Sequence, residues 1–352
     1  MTFKGFAGEM SGLVTSMVSV KIIEDILYNL FFFINFMAPG ILALYSCYNF
    51  PMLSISTLLV YYTSIALHRL EKNHGSPWEY FSRNFLIFTM KQRHHNLRLV
   101  RPKSGSLDPD RMSEHLSSSK NAAYVFACHP HGVAAQWRTW MEGLMYTTFP
   151  ALAQTRGWRT LAASVLFWMP LVREIVLWTG CVDASRKTAQ LQLQQGRSLV
   201  ILPGGEAEQL RTKFGEEHIH LKNRMGFVAL AVESGTPLVP VYVFGCSDLY
   251  YTFDHFFGFR EALRKALRIC LPLFVGDFGL APRRGVEVTI VFGDPIPVNM
   301  VKRPRHDAAE KEKEHFRDVV KKVHGVYMER LAKLFDDAKD CVGFGERKLV
   351  VE

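Results

Sequence analysis

The chain has 352 residues, 48% of them hydrophobic and 26 of them Phe, enough for one large core or two modest ones. Its formal charge of +9 fits an anionic partner, but no helix-turn-helix, zinc-finger or RNP pattern accompanies it, so nucleic acid is not expected as that partner. The six cysteines, at positions 47, 128, 181, 246, 270 and 341, form no C-x-x-C pair and no N-x-[ST] sequon occurs, which excludes a thiol zinc cluster and points to reduced thiols in a cytosol-facing globular part.

Residues 26–48 carry no charge and are long enough to cross or dip into a bilayer. A second uncharged run covers 51–67, and only Asn49-Phe50-Pro51 joins the two. Lys4 and Lys21 precede the pair, and His68, Arg69 and Lys72 follow it, so the positive-inside rule puts both ends in the cytosol. We therefore expect a cytosolic segment over 1–21 and a membrane hairpin over 22–68, transmembrane or re-entrant, kinked at Pro39-Gly40. A cleaved signal peptide fits less well, because the apolar run outlasts an h-region and is preceded by mostly polar and small residues.

Residues 83–101 mix aromatics with Arg83, Lys91, Arg93, Arg98 and Arg101 and read as an amphipathic interfacial segment, apolar side in lipid. His94-His95 lacks a third metal ligand nearby and reads as part of a solvated basic face. Residues 102–121, rich in Ser, Pro, Gly and Asp, read as a linker, so 69–121 joins the hairpin to a globular part over 122–352.

In that part strands and helices alternate. Strands are expected at 123–129, 160–165, 198–202, 238–244 and 288–292, with helices at 137–146, 173–180, 184–195 and 223–234. Such alternation predicts an α/β fold: a mixed, largely parallel sheet covered by helices. Residues 256–281 read either as a buried strand or as a lipid-facing lip. Late in the chain Phe316, Val319, Val320, Val323, Tyr327, Leu331, Leu334 and Phe335 recur at helical spacing, the apolar stripe of a packing helix.

Chemistry concentrates at strand ends. The first strand stops at His129-Pro130-His131-Gly132, where proline cannot continue a ladder and glycine admits close approach. Two imidazoles thus stand at the mouth of a sheet, the usual place for chemistry in open α/β folds, and imidazole suits proton transfer near neutral pH. Pro203-Gly204-Gly205-Glu206-Ala207-Glu208 ends a second strand in the same manner. Backbone N–H groups of Gly132, Gly204 and Gly205 suit an oxyanion or phosphate, and a glutamate there suits the orienting of an imidazole. Lys222, Asn223 and Arg224 precede a helix and suit a polyphosphate handle. Cys128, closing an apolar strand, reads as buried rather than nucleophilic. No G-x-S-x-G elbow, Walker A loop or G-x-G-x-x-G fingerprint occurs.

The His129-Pro130-His131-Gly132 element, the Gly204-Gly205-Glu206-Ala207-Glu208 element, and Arg224-x-Gly226-Phe227-x-x-x-Ala231 running into residues 238–245 together resemble the type 2 diacylglycerol acyltransferase family, which includes monoacylglycerol and wax-alcohol acyltransferases. The likeness extends to residues 173–186 and 293–298 and to the final helix around His324, Tyr327 and Leu334-Phe335-Asp336. It implies a glycerolipid-acyltransferase-like domain over 122–352. It implies a multi-pass endoplasmic-reticulum enzyme, with lipid droplets as a further location, that acylates a neutral-lipid hydroxyl from acyl-CoA. The family's histidines correspond to His129 and His131, and its glutamate to Glu208. Glu206 departs from the family pattern, as does Cys246-Ser247-Asp248 where members often carry Glu.

The expected reaction makes triacylglycerol from diacylglycerol, with monoacylglycerol or a fatty alcohol as alternative acceptors. His131 is expected as general base, His129 as support and Glu208 as orienting acid, in a ternary complex without an acyl-enzyme. Acyl-CoA is a co-substrate; no cofactor or metal is expected. The partners are the bilayer and the neutral lipid, and a homo-oligomer is left open. A lysophospholipid or glycerol-phosphate acyltransferase is disfavoured, since the residues five beyond His129 and His131 are Ala134 and Gln136 rather than Asp. A non-catalytic membrane-shaping protein that binds lipid or CoA is the other alternative.

Overall fold

A computed structural model of the chain describes residues 22–23, 26–27, 29–30, 34, 38–103, 106–108, 123–267, 270–277, 279–305 and 307–352. The expected cytosolic segment 1–21, much of the first apolar run and most of the linker lie outside the described residues.

In chain order the helices are α1 (Ala38–Asn49), α2 (Pro51–His68), α3 (Glu79–Asn84), α4 (Leu86–His94), α5 (Gln136–Thr148), α6 (Pro150–Gln154), α7 (Val172–Trp178), α8 (Arg186–Gln194), α9 (Gly205–Arg211), α10 (Gly226–Ser234), α11 (Phe257–Leu267) and α12 (Glu310–Lys339). The strands are β1 (Arg98–Lys103), β2 (Ser106–Asp108), β3 (Val125–His129), β4 (Trp158–Ala162), β5 (Cys181–Asp183), β6 (Ser198–Ile201), β7 (Glu217–Ile219), β8 (Leu238–Phe244), β9 (Tyr251–Thr252), β10 (Phe274–Val275), β11 (Thr289–Phe292) and β12 (Leu349–Val351).

Eight strands form one sheet in the order β2-β1-β11-β8-β3-β6-β4-β5. Its pairs are parallel except β2 with β1 and β11 with β8. β3 is central, and its side chains part by alternation. Val125 and Ala127 join a core with Phe227, Tyr327, Leu331 and Phe335 of α10 and α12, whereas Phe126 and Cys128 join another with Trp137, Trp140 and Met145 of α5. Burial on both faces explains why β3 and β8 read as continuous apolar runs. The Tyr327 hydroxyl reaches through the first core to donate to the Ala127 carbonyl at 3.0 Å.

Two readings are corrected. The segment 83–101 is not an interfacial face: Phe88, Lys91 and His95 are buried, and Arg98, Leu99 and Val100 pair in parallel with Thr289, Ile290 and Val291 in the sheet. His95 stacks flat on Trp140 at 5.0 Å, and its Nδ1 lies 2.8 Å from the Val286 carbonyl, so it is core rather than a solvated basic face. Cation spacing suggested amphipathicity there, but the alternation at 97–100 is that of an inner strand. Residues 270–275 are not a buried strand either; Leu271, Leu273 and Val275 are exposed, and β10 pairs only with the short β9.

α1 and α2 meet at Phe50 and present many exposed apolar side chains, among them Leu44, Tyr48, Met52, Val60 and Leu67. Among the described residues no helix is long and apolar enough to cross a membrane. The end of α2 is fastened to the domain: Tyr61 donates to Glu174 at 3.1 Å and Tyr62 stacks on Trp168 at 6.1 Å. Replacing Tyr327 by Phe should cost about 1 kcal/mol, the net worth of one buried hydrogen bond. A lowered thermal-unfolding midpoint in detergent is the expected result, and an unchanged midpoint would contradict the contact.

Candidate active site

β3, β6 and β8 run parallel, so their carboxyl ends share one edge of the sheet. Pairing of Ala127 with Ile201 brings the turn after His129 beside the turn after Leu202, and His129 itself pairs with Tyr242. Strand order parts to either side of β3, which makes this edge the switch point where open α/β sheets bind ligands. Two distant stretches of sequence thus become one site.

Glu208 is the residue on which the site closes. It lies on the first turn or so of α9, 2% exposed, and its carboxylate accepts from the backbone N–H of His131 and, at 2.8 Å, from that of His220. The Nδ1 of His129 stands 3.8 Å from the second carboxylate oxygen, beyond hydrogen-bond distance. Burial alone would raise the Glu208 pKa, but His129 and the two N–H donors outweigh it and hold the carboxyl below the usual range. Glycine at 204 is required by this packing, since a Cβ there would overlap the Glu208 carboxylate. Glu206 is only partly buried and makes none of these contacts, so the geometry separates the two glutamates.

The expected pairing of Glu208 with the His131 ring is therefore corrected. Glu208 grips His131 by its main-chain N–H, and no hydrogen bond joins it to the ring among the described residues. The ring Nδ1 of His131 instead faces the Gly132 carbonyl at 2.9 Å, which fixes the proton on Nδ1 and leaves Nε2 as the basic nitrogen. His131 is half-buried, and desolvation lowers its pKa against the opposing pull of the Gly132 carbonyl, Glu208 and Glu206. His129 is wholly buried, and neither ring nitrogen has a hydrogen-bond partner among the described residues.

The turn is braced on its other sides. Trp137 donates its indole N–H to the His131 carbonyl at 3.2 Å, and Gln209 donates to the Val133 carbonyl at 2.6 Å. Gly132 adopts positive φ, and a Cβ on it would collide with the Cys246 sulfur. Of the three glycines offered as donors, Gly205 spends its N–H on the Leu202 carbonyl at 3.1 Å. Burial pushes the Cys128 thiol up, so it stays protonated.

Lys222, Asn223 and Arg224 sit in the turn before α10, which begins at Gly226 rather than at 223, and Lys222 and Asn223 are exposed. They follow His220 after one residue, Leu221, and His220 donates its N–H to Glu208. Burial first, then the charges of Arg211 and Arg224, hold the His220 imidazole below its ordinary pKa, so positive potential gathers on this side of the site. Sequence reading missed His220, which acts through its backbone and so leaves no side-chain signal. It also missed buried Glu217, which accepts from Tyr242 at 2.7 Å, although Tyr242 stands opposite His129 in the register.

Residues 106–352 match the family model described as diacylglycerol acyltransferase. Among curated relatives, the chain is 32% identical over 262 residues to acyl-CoA wax alcohol acyltransferase 2 of Mus musculus, covering 69% of this chain and 74% of the relative. It is 30% identical over 292 residues to diacylglycerol O-acyltransferase 2-like protein 6 of Bos taurus, covering 75% and 76%. It is also 30% identical over 294 residues to 2-acylglycerol O-acyltransferase 3 of Homo sapiens, covering 77% and 76%.

The lowered pKa of Glu208 gives a signed expectation. Its contribution to stability is present above the ordinary glutamate value of about 4.3 and is lost as pH falls through the lower folded value. Glu208→Gln should therefore destabilise the protein most near neutrality, with the gap closing below about pH 4. Denaturant unfolding across that range checks it; a gap that widens on acidification would contradict it.

Proposed function

The chain belongs to the diacylglycerol acyltransferase family, and from that premise we propose that it transfers a fatty acyl group from acyl-CoA to the free hydroxyl of diacylglycerol, making triacylglycerol. The observation that carries this reading is His131, whose Nδ1 is committed to a carbonyl while Nε2 stays available at the carboxyl edge of the sheet. The acceptor hydroxyl gives its proton to Nε2 as its oxygen attacks the thioester carbonyl. Collapse of the tetrahedral adduct breaks the C–S bond, and the proton passes from the imidazolium to the departing CoA thiolate. General-base help of this kind is worth roughly 10²–10⁴-fold. The N–H groups of Gly132 and Gly204, which have no protein acceptor among the described residues, suit the oxyanion. Lys222, Asn223 and Arg224 would take the phosphates of CoA, with Arg211 adding to the same field. His129 and Glu208 hold the turn.

The apolar rim supports a lipid acceptor. Phe256 and Phe259 are 80% and 67% exposed, and with Phe253, Leu271 and Leu273 they form a lip beside the site. The lip touches the catalytic helix: Arg211 of α9 pairs with Glu261 of α11 at 3.1 Å, and the Cys270 thiol faces the Glu206 carbonyl at 3.5 Å. The described part of the first apolar run approaches the same region, where Leu280 donates its N–H to Asn29 at 3.1 Å. Val165, Trp168 and Leu171, next to the end of α2, are exposed on the carboxyl side of β4, the same edge again. We read the hairpin and the lip as facing one membrane, that of the endoplasmic reticulum, with both termini cytosolic and lipid droplets as a further site. The acceptor then enters sideways from lipid while acyl-CoA arrives from water.

His131→Ala should lower transfer by about 10²–10⁴-fold. Because the His131 pKa is lowered, its basic form persists on acidification, and the acid limb of kcat/KM should lie below about 6.5. Labelled acyl-CoA supplied with competing diacylglycerol, monoacylglycerol and fatty alcohol checks both the rate and the acceptor; a wild-type rate in the variant, or wax ester as product, would refute the respective statement. Replacing Phe256 and Phe259 together by Asp should reduce activity toward acceptor in vesicles at least severalfold yet spare activity toward detergent-dispersed acceptor. Equal rates of wild type and variant on vesicles would remove the lip from the acceptor route.

A further inference from the structure

The best-bonded polar cluster outside the catalytic turn is built around Glu217. Its carboxylate is buried and accepts from the Tyr242 hydroxyl at 2.7 Å, the Ser247 hydroxyl at 3.1 Å and the Arg347 guanidinium at 2.7 Å. Burial first, and then Glu217, holds the Tyr242 pKa well above its ordinary value, so that hydroxyl remains a donor. The second arm of Arg347 meets Asp248 at 2.9 Å, and its guanidinium lies over the Phe344 ring at 4.5 Å. A buried carboxylate deprived of its cation is an uncompensated charge, so the arrangement depends on Arg347.

What Arg347 joins is informative. Glu217 opens β7, and the residue after β7 is His220, whose N–H feeds Glu208. Asp248 closes the turn over Cys246–Asp248, whose Cys246 sulfur fills the space beside Gly132. The tail beyond Arg347 continues the clamp. β12 lies parallel to β7 with Leu349 opposite Glu217, and the main-chain oxygen of Glu352 accepts the N–H groups of Leu221 and Lys222, each at 2.7 Å. Both shoulders of the catalytic turn, and the loop bearing Lys222, Asn223 and Arg224, are thus referred to one side chain near residue 350.

We propose that Arg347 is a positioning residue: by bridging Glu217 and Asp248 it sets the tail against β7 and so aligns the 222–224 loop for acyl-CoA. The proposal rests on the acyl-transfer reading of the His131 site. Arg347 touches no reacting atom; it acts through Glu217, Asp248 and the tail.

The test uses the full chain in detergent and in vesicles, with initial rates at varied acyl-CoA and at varied diacylglycerol for wild type, Arg347→Ala and His131→Ala. Misplacement of about 1 Å in a positioning element costs up to about a hundredfold. Arg347→Ala should accordingly raise the acyl-CoA KM about tenfold or more while leaving the diacylglycerol KM unchanged. A merely structural role would lower Vmax in step with the folded fraction, measured by thermal unfolding, and leave both KM values alone; that result, an equal rise in both, or no change overturns the proposal. Should Arg347→Ala not accumulate, Arg347→Lys keeps the charge but reaches one carboxylate at a time. It is measured in the same way, and an unchanged acyl-CoA KM overturns the proposal. His131→Ala separates the two failures: a wild-type rate there sinks the acyl-transfer reading, whereas a dead His131→Ala beside an unaffected Arg347→Ala sinks only the role of Arg347.

Discussion

The architecture of the site depends on one buried carboxylate. Glu208 has almost no contact with water, and its desolvation is offset by two backbone N–H donors and the neighbouring His129. Those donors belong to different segments, the turn after β3 and the residue following β7, so a single side chain locks two loops that are 89 positions apart (220 − 131). Satisfying it engages the main chain of His131, whose ring Nδ1 turns instead to the Gly132 carbonyl. Such a carboxylate is costly to leave half-bonded, which explains the absence of a Cβ at Gly204, where any side chain would displace it.

The sheet does the rest of the gathering. Parallel pairing of β3 with both β6 and β8 sends three strand ends to one edge, and the His129–Gly132 turn, the Gly204-Gly205 turn and the Cys246–Asp248 turn meet there. This part was legible in the chain, because apolar runs that stop at Pro and Gly mark strand ends, and adjacent parallel strands must end side by side. The histidines and glutamates at those ends were legible for the same reason. Other parts left no local mark. Leu97 and Leu99 alternate with Arg98 as in a strand, but Arg93, Arg98 and Arg101 masked an inner sheet position. The link between Glu208 and His131 runs through backbone N–H, which residue identity does not encode. Glu217 and Asp248 lie 130 and 99 positions before Arg347, and only the folded chain makes the three one cluster.

In the proposed reading, charge and apolar surface divide the edge between two kinds of substrate. Lys222 and Arg224 lie on the side of His220, whereas Phe253, Phe256, Phe259, Leu271 and Leu273 form an apolar lip that Arg211 joins to α9 through Glu261. A water-soluble thioester carrying phosphates and an oily alcohol have no common solvent, and an enzyme joining them needs a face for each. The relatives' names differ in acceptor, wax alcohol in one and 2-acylglycerol in another, while all are acyltransferases or acyltransferase-like. In the proposed reading the fold's work is to bring one imidazole nitrogen to the boundary between the two faces.

That alignment is directly measurable. A structure of the full chain bound to a non-hydrolysable acyl-CoA analogue reports the distance from the His131 Nε2 to the position of the reacting carbonyl. The account predicts room for one hydroxyl between them, in hydrogen-bond reach of Nε2 and about 3–3.5 Å from the carbonyl carbon. An acyl group seated on the far face of the sheet, or a His131 ring turned away with His129 facing the carbonyl instead, would contradict it.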